Sequence, residues 1–143
     1  MDRPLVYADR RQCVILLAVE CPSARLDLSI LLTRKGAAVS TVSTGQECFD
    51  FALARWGQKR PFDVIIADTA LRDYDAVSLM LELRQRGYEA PVIGISSPLD
   101  LRGPALLHAL DAYIDVASEG YDRVLLAVQA CMRANSDLAA QYC

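Results

Sequence analysis

The chain has 143 residues and a mass of 15.7 kDa, about one domain, long enough to bury roughly 70% of the surface its unfolded form would expose. Apolar residues at 53%, charged residues at 23%, seven Gly and six Pro exclude collagen-like, disordered and low-complexity classes. Fifteen basic against eighteen acidic residues provide no basic block to track a phosphate backbone. The apolar run 14–19 is far short of the ~18 residues of a membrane span. No direct nucleic-acid binding and no membrane insertion are expected, and the chain reads as cytoplasmic.

A first strand is expected at 13–19, after a twelve-residue N-terminal extension, 1–12. A helix follows at 23–35, with Ala24, Leu28, Leu31 and Leu32 on one stripe and Gly36 as its stop. After a second strand at 37–42, Thr44 and Glu47 form a capping box. It opens a helix that turns Cys48, Phe49, Ala52, Leu53 and Trp56 inward and ends at Gly57. A third strand at 62–67 precedes a helix capped by Asp75, carrying Val77, Met80 and Leu83 and closed by Gly87. The fourth strand is expected at 91–95, and Gly103 and Pro104 confine the next helix to about 104–110. A fifth strand at 112–116 and a helix at 121–133 complete the domain, 13–133, leaving a tail at 134–143 that either extends freely or prolongs the last helix.

Strands one, three and four are apolar without alternation, as in strands covered on both faces of a parallel sheet. Five successive βα units therefore predict a single α/β domain with right-handed crossovers and helices on both faces.

Five cysteines, Cys13, Cys21, Cys48, Cys131 and Cys143, cannot all pair, and none forms a C-x-x-C with another. The single histidine, His108, excludes zinc-finger and metalloprotease spacings and reads as an ordinary surface histidine. The segment Cys21-Pro22-Ser23-Ala24-Arg25 lacks the glycines of a phosphate-cradling loop, which argues against a bound flavin or dinucleotide.

Ligands of an open parallel sheet bind beyond the carboxyl ends of its strands, where the strand order reverses. With the order 2-1-3-4-5, Glu20 after strand one and Asp68 after strand three meet at that point, with Ser96 beside them. Two carboxylates so placed either point apart into solvent or share a hard cation such as Mg²⁺.

These residues resemble the receiver domain of bacterial response regulators and hybrid sensor kinases. The resemblance rests on Val14-Ile15-Leu16-Leu17 with Glu20 and Pro22, and on Phe62 through Asp68 followed by Leu71, Asp73 and Asp75. It continues through Ala90-Pro91-Val92-Ile93-Gly94-Ile95-Ser96 to Tyr113. It implies a flavodoxin-like (βα)5 three-layer sandwich with a parallel five-stranded sheet in order 2-1-3-4-5. It also implies a phosphorelay function in which Asp68 is the phosphoacceptor, Mg²⁺ is held by Glu20, Asp68 and the backbone carbonyl of Ala70, and Ser96 hydrogen-bonds the phosphoryl group. Tyr113 would be the aromatic whose rotamer follows that group, or a large side chain finishing the sheet edge. The implied partner is a histidine kinase or phosphotransfer protein. A homodimer, where one forms, would use the face of the fourth helix, the fifth strand and the last helix. No catalysis is implied beyond accepting a phosphoryl group on Asp68.

Two departures set this chain apart. Val19-Glu20 stands where the family has two adjacent acids, and Val116-Ala117 where it has lysine and proline. Weak metal binding and impaired phosphorylation are expected. The alternative is a pseudo-receiver that binds a partner or a second copy without phosphorylation. Arg72, in a loop position where the family often has proline, would be a substitute cation or a solvated charge. Cys21 is expected to be a poor nucleophile, because Glu20 and Asp68 nearby would raise its thiol pKa.

Overall fold

Short runs rich in Val and Ile form five strands: β1 (Val14–Ala18), β2 (Ala38–Val42), β3 (Val64–Asp68), β4 (Val92–Ser96) and β5 (Ala112–Asp115). All pair in parallel, in the order β2-β1-β3-β4-β5. The register sets Ala18 beside Val42 and Ala67, Asp68 beside Ile95, and Ser96 beside Asp115. The structure, a computed structural model, describes residues 4–58, 61–69, 71–96 and 110–142. The predicted helix at 104–110 lies outside them except for Leu110, as does His108.

Among the described residues the helices are α1 (Pro22–Arg34), α2 (Gly45–Gly57), α3 (Ala76–Gln85), the single turn α4 (Val116–Glu119) and α5 (Tyr121–Tyr142). α2 starts at Thr44, whose hydroxyl accepts the N–H of Glu47 at 3.1 Å. Glu47 returns its carboxylate to Ser43 N, one residue earlier than a reciprocal capping box requires. Asp75 caps α3 by accepting Ser78 N at 2.8 Å. Gly36 and Gly87 follow α1 and α3 with φ of +102° and +84°, the left-handed conformation that ends a helix without a Cβ penalty.

Both faces of the sheet are covered, which explains the unbroken apolar runs. On one face Leu16, Ala18, Ile65, Ala67 and Val92 pack against Cys48, Phe49 and Ala52 of α2 and Val77, Met80 and Leu83 of α3. On the other, Ile15, Leu17, Val64, Ile66, Ile93 and Ile95 pack against Leu28 and Leu32 of α1 and Val124, Val128 and Met132 of α5. This is the flavodoxin-like three-layer sandwich expected from the sequence.

Two local expectations are corrected. Trp56 is not turned fully inward: it is 41% exposed, and its ring meets that of Tyr88 edge-on, at 6.0 Å and 78°. The fifth strand ends at Asp115, and Val116 begins α4, where Glu119 Oε2 accepts Asp115 N at 2.9 Å. The last helix runs to Tyr142, the tail prolonging it as one of its two readings allowed. Before β1, Leu5 is fully buried against the α1/α5 side of the sheet, and Asn135 Nδ2 on α5 donates to Tyr7 Oη at 3.3 Å. Among the described residues no helix is long and apolar enough to cross a membrane.

Candidate functional site

The strand order reverses between β1 and β3, and the carboxyl ends of strands at such a reversal are where open parallel sheets form their ligand crevice; the sequence places its polar residues there. β1 and β3 pair up to Ala18 and Ala67. One residue further along stand Val19 and Asp68, and one beyond that are Glu20 and Thr69. Val19 is 2% exposed and belongs to the core on the α1/α5 side. Asp68 is half-buried at the last position of β3, while Ser96, the last residue of the neighbouring β4, is buried. In the register, Ser96 ends one strand adjacent to β3 and Glu20 lies two residues past the end of the other. The carbonyl of Ala70, the expected third cation ligand, lies outside the described residues.

The turn after β1 and the loop after β3 are each anchored. Arg25, one turn into α1, donates Nη1 to the carbonyl of Val19 at 2.7 Å and to that of Glu20 at 3.1 Å, fixing the turn that carries Glu20. On the β3–α3 side, Asp73 accepts Gly45 N at 2.8 Å, Gln46 N at 2.9 Å and Tyr74 N at 3.0 Å. A carboxylate there meets unpaired N–H groups and the positive end of the helix dipole. Partial burial pushes the Asp73 pKa up, but the N–H groups of Gln46, Gly45 and Tyr74 outweigh it and hold the carboxyl below its ordinary value. Gly45 makes this approach possible, because a Cβ at that position would fall 2.5 Å from Tyr74 Cβ.

Arg72 lies between Asp68 and this anchor, and its Nε meets Glu20 Oε1 at 2.5 Å. The pair spans the crevice from the loop after β3 to the loop after β1. It is exposed, with side-chain exposures of 91% for Arg72 and 35% for Glu20, so its contribution to stability is about 0–1 kcal/mol. Of the two sequence readings of Arg72, its 91% exposure matches the solvated charge, here paired with Glu20.

Tyr113 on β5 stands beside Gly94 in the register and is 36% exposed. A Cβ on Gly94 would lie 2.4 Å from Leu110 Cδ1, 3.1 Å from Thr69 Cγ2 and 3.7 Å from Tyr113 Cδ2. Gly94 therefore makes room beneath the crevice, and Thr69 is a buried polar neighbour of Asp68 that sequence reasoning did not single out. Where the resemblance to receiver domains implied a strand-five lysine, Val116 packs partly buried against the α1/α5 core.

Cys21 departs from expectation. It is exposed at the N-cap of α1, its Sγ lies 3.3 Å from Ser23 Oγ, and its pKa is lowered. The hydrogen bond with Ser23 contributes most, followed by the N–H groups of Ala24 and Ser23. The expectation of a raised pKa weighed only nearby carboxylates and overlooked the donors at a helix start. Cys13, Cys48 and Cys131 are likewise free thiols, and burial pushes Cys13 and Cys48 up to about 12.

Mg²⁺ takes hard oxygen ligands and tolerates several waters. Among the described residues no group of three or more His, Cys, Asp or Glu could hold a metal ion. The donors at the crevice, Glu20 and Asp68, fit in kind a cation bound by two carboxylates and water, with Arg72 already on one of them.

No protein-family model matches the chain, and no curated protein matches it. Solved structures match its fold closely. A response regulator receiver domain protein from Clostridium thermocellum superposes with a TM-score of 0.73 at 18% identity, covering 88% of this chain and 98% of that one. The response regulator TrrA from Thermotoga maritima in complex with Mg(2+)-BeF gives 0.67 at 22% identity, over 82% and 97%. A complex of the histidine kinase ThkA with TrrA from the same organism gives 0.63 at 18% identity, over 80% and 97%. The chain has the fold of response regulator receiver domains.

Proposed function

We propose that this chain is a receiver module of a phosphorelay, with Asp68 as the acceptor of a phosphoryl group from a phosphohistidine on a kinase or phosphotransfer partner. The observation that carries this reading is the position of Asp68: half-buried at the end of β3, at the order reversal, with buried Ser96 on one adjacent strand and Glu20 beyond the other. The solved complex of a histidine kinase with a receiver of the same fold supports the choice of partner.

In the proposed step an Asp68 oxygen forms a P–O bond as the P–N bond to imidazole breaks, and the electron pair returns to the leaving nitrogen, which takes a proton. The Ser96 hydroxyl would donate to a phosphoryl oxygen. Glu20, Asp68 and the Ala70 carbonyl would hold Mg²⁺, and Tyr113 would respond from β5. Bound Mg²⁺ would neutralise charge on the phosphoryl oxygens. Val116 brings no charge to the site, so modification is expected to be slow and incomplete.

Intact-protein mass spectrometry after treatment with a small phosphodonor and Mg²⁺ tests the reading. A single phosphoryl adduct, absent from Asp68→Asn, is the expected result. Complete inertness at tens of millimolar Mg²⁺ supports the second reading, a phosphorylation-independent interaction module, which is favoured by the engagement of Glu20 with Arg72 and by the apolar Val116.

A further inference from the structure

The pairing of Arg72 with Glu20 involves an acid that the proposed function assigns to metal binding, and it joins two separately anchored pieces of backbone. Glu20 sits on a turn whose carbonyls are gripped by Arg25. Arg72 directly precedes Asp73, whose carboxylate ties the β3–α3 loop to the start of α2. Although both side chains reach solvent, their backbones are thus held in position, and this lowers the ordering cost of an exposed pair.

A divalent cation needs the same carboxylate oxygens at about 2.0–2.1 Å and repels a guanidinium beside them. One Glu20 oxygen cannot serve both at full strength. We propose that Arg72 is the resident counter-ion of Glu20 and competes with a divalent cation for that carboxylate, thereby setting the metal affinity of the crevice. The proposal rests on the reading of Glu20 and Asp68 as the cation-binding acids and adds a control element: metal loading requires Arg72 to swing away. Its high exposure leaves it room to do so.

An exposed ion pair shifts an equilibrium by at most about five-fold, so the effect is a modest adjustment of affinity. The probe is Mn²⁺ alone, titrated into the full chain at low ionic strength, with the free ion followed by electron paramagnetic resonance. Arg72→Ala is expected to tighten Mn²⁺ binding about two- to five-fold, and the gain should disappear in a Glu20→Gln background. Unchanged binding by Arg72→Ala overturns the proposal. So does an equal gain with and without Glu20, because Arg72 would then act only through its general field. The underlying reading fails separately: Mn²⁺ affinity that neither Glu20→Gln nor Asp68→Asn lowers would remove the cation site itself, whatever Arg72→Ala does.

Discussion

The carboxylate of Asp73 receives the N–H of Gly45 at 2.8 Å, so the loop following the candidate phosphoacceptor strand is pinned to the first residue of a helix 28 positions earlier in the chain. The contact converts an otherwise free loop into part of the scaffold around Asp68. Replacing Asp73 with Ala strands the N–H groups of Gly45, Gln46 and Tyr74 and is expected to cost about 1–2 kcal/mol in urea denaturation at pH 7. Because the folded-state pKa of Asp73 is depressed, its contribution is present above the ordinary value of 3.8 and is lost as pH falls through the folded value. The stability gap between Asp73→Ala and the parent protein should therefore close on acidification. A gap that persists undiminished at pH 2 would assign it to something other than the charge.

Two glycines in the same helix should respond oppositely to alanine. At Gly45 the new Cβ would meet Tyr74 Cβ at 2.5 Å, an atom that moves only with its backbone, so Gly45→Ala is expected to destabilise by about 1–3 kcal/mol. At Gly57 nothing lies within 4 Å and the φ is ordinary, so Gly57→Ala should gain up to about 1 kcal/mol from helix propensity. Thermal unfolding of the two variants side by side measures the contrast.

Among the described cysteines, Cys21 should be the first to be alkylated. Its thiol is exposed with a lowered pKa, whereas burial pushes Cys13 and Cys48 up to about 12 and Cys131 up to about 11. Limited iodoacetamide at neutral pH, followed by peptide mapping, should label Cys21 at least ten-fold faster than these three. Ser23→Ala should slow it by removing the hydrogen bond that favours the thiolate. Equal labelling of Cys13 in the folded protein would contradict the burial assigned to it.

The two departures from the receiver pattern differ in what their reversal would cost. Val116→Lys places an ammonium at the start of α4 from a partly buried position and is expected to raise the rate of Asp68 modification by about ten-fold or more while sparing the fold. Val19→Asp puts a carboxylate where the side chain is 2% exposed among Ile15, Leu17 and Ile66, and is expected to lower stability by about 2–4 kcal/mol. Mass spectrometry for the first and urea denaturation for the second decide these outcomes.

Apolar patterning determined the alternating strands and helices and the burial of the sheet on both faces without help from tertiary data, while the strand order came with the resemblance to receiver domains. A strand covered on both faces must be apolar at every position, and the unbroken runs of β1, β3 and β4 record that burial directly. Caps are local as well, so Thr44, Asp75, Gly36 and Gly87 marked helix ends that the structure places within a residue or two. The strand-end positions of Glu20, Asp68 and Ser96 followed from the same runs once the strand order was known.

Contacts between residues far apart in sequence were decided only by the tertiary structure. Nothing near Arg72 in the chain indicates that its guanidinium reaches Glu20, 52 residues earlier, because the loops meet only after β1 and β3 have paired. The same holds for the contacts of Asp73 with the start of α2, for Gly94 beneath Leu110 and Thr69, and for Trp56, whose helical period pointed inward but which the fold leaves 41% exposed. Periodicity assigns a residue to a face of its own element. Whether that face meets a neighbour, a charge or water depends on where the other elements end, and that is set by packing.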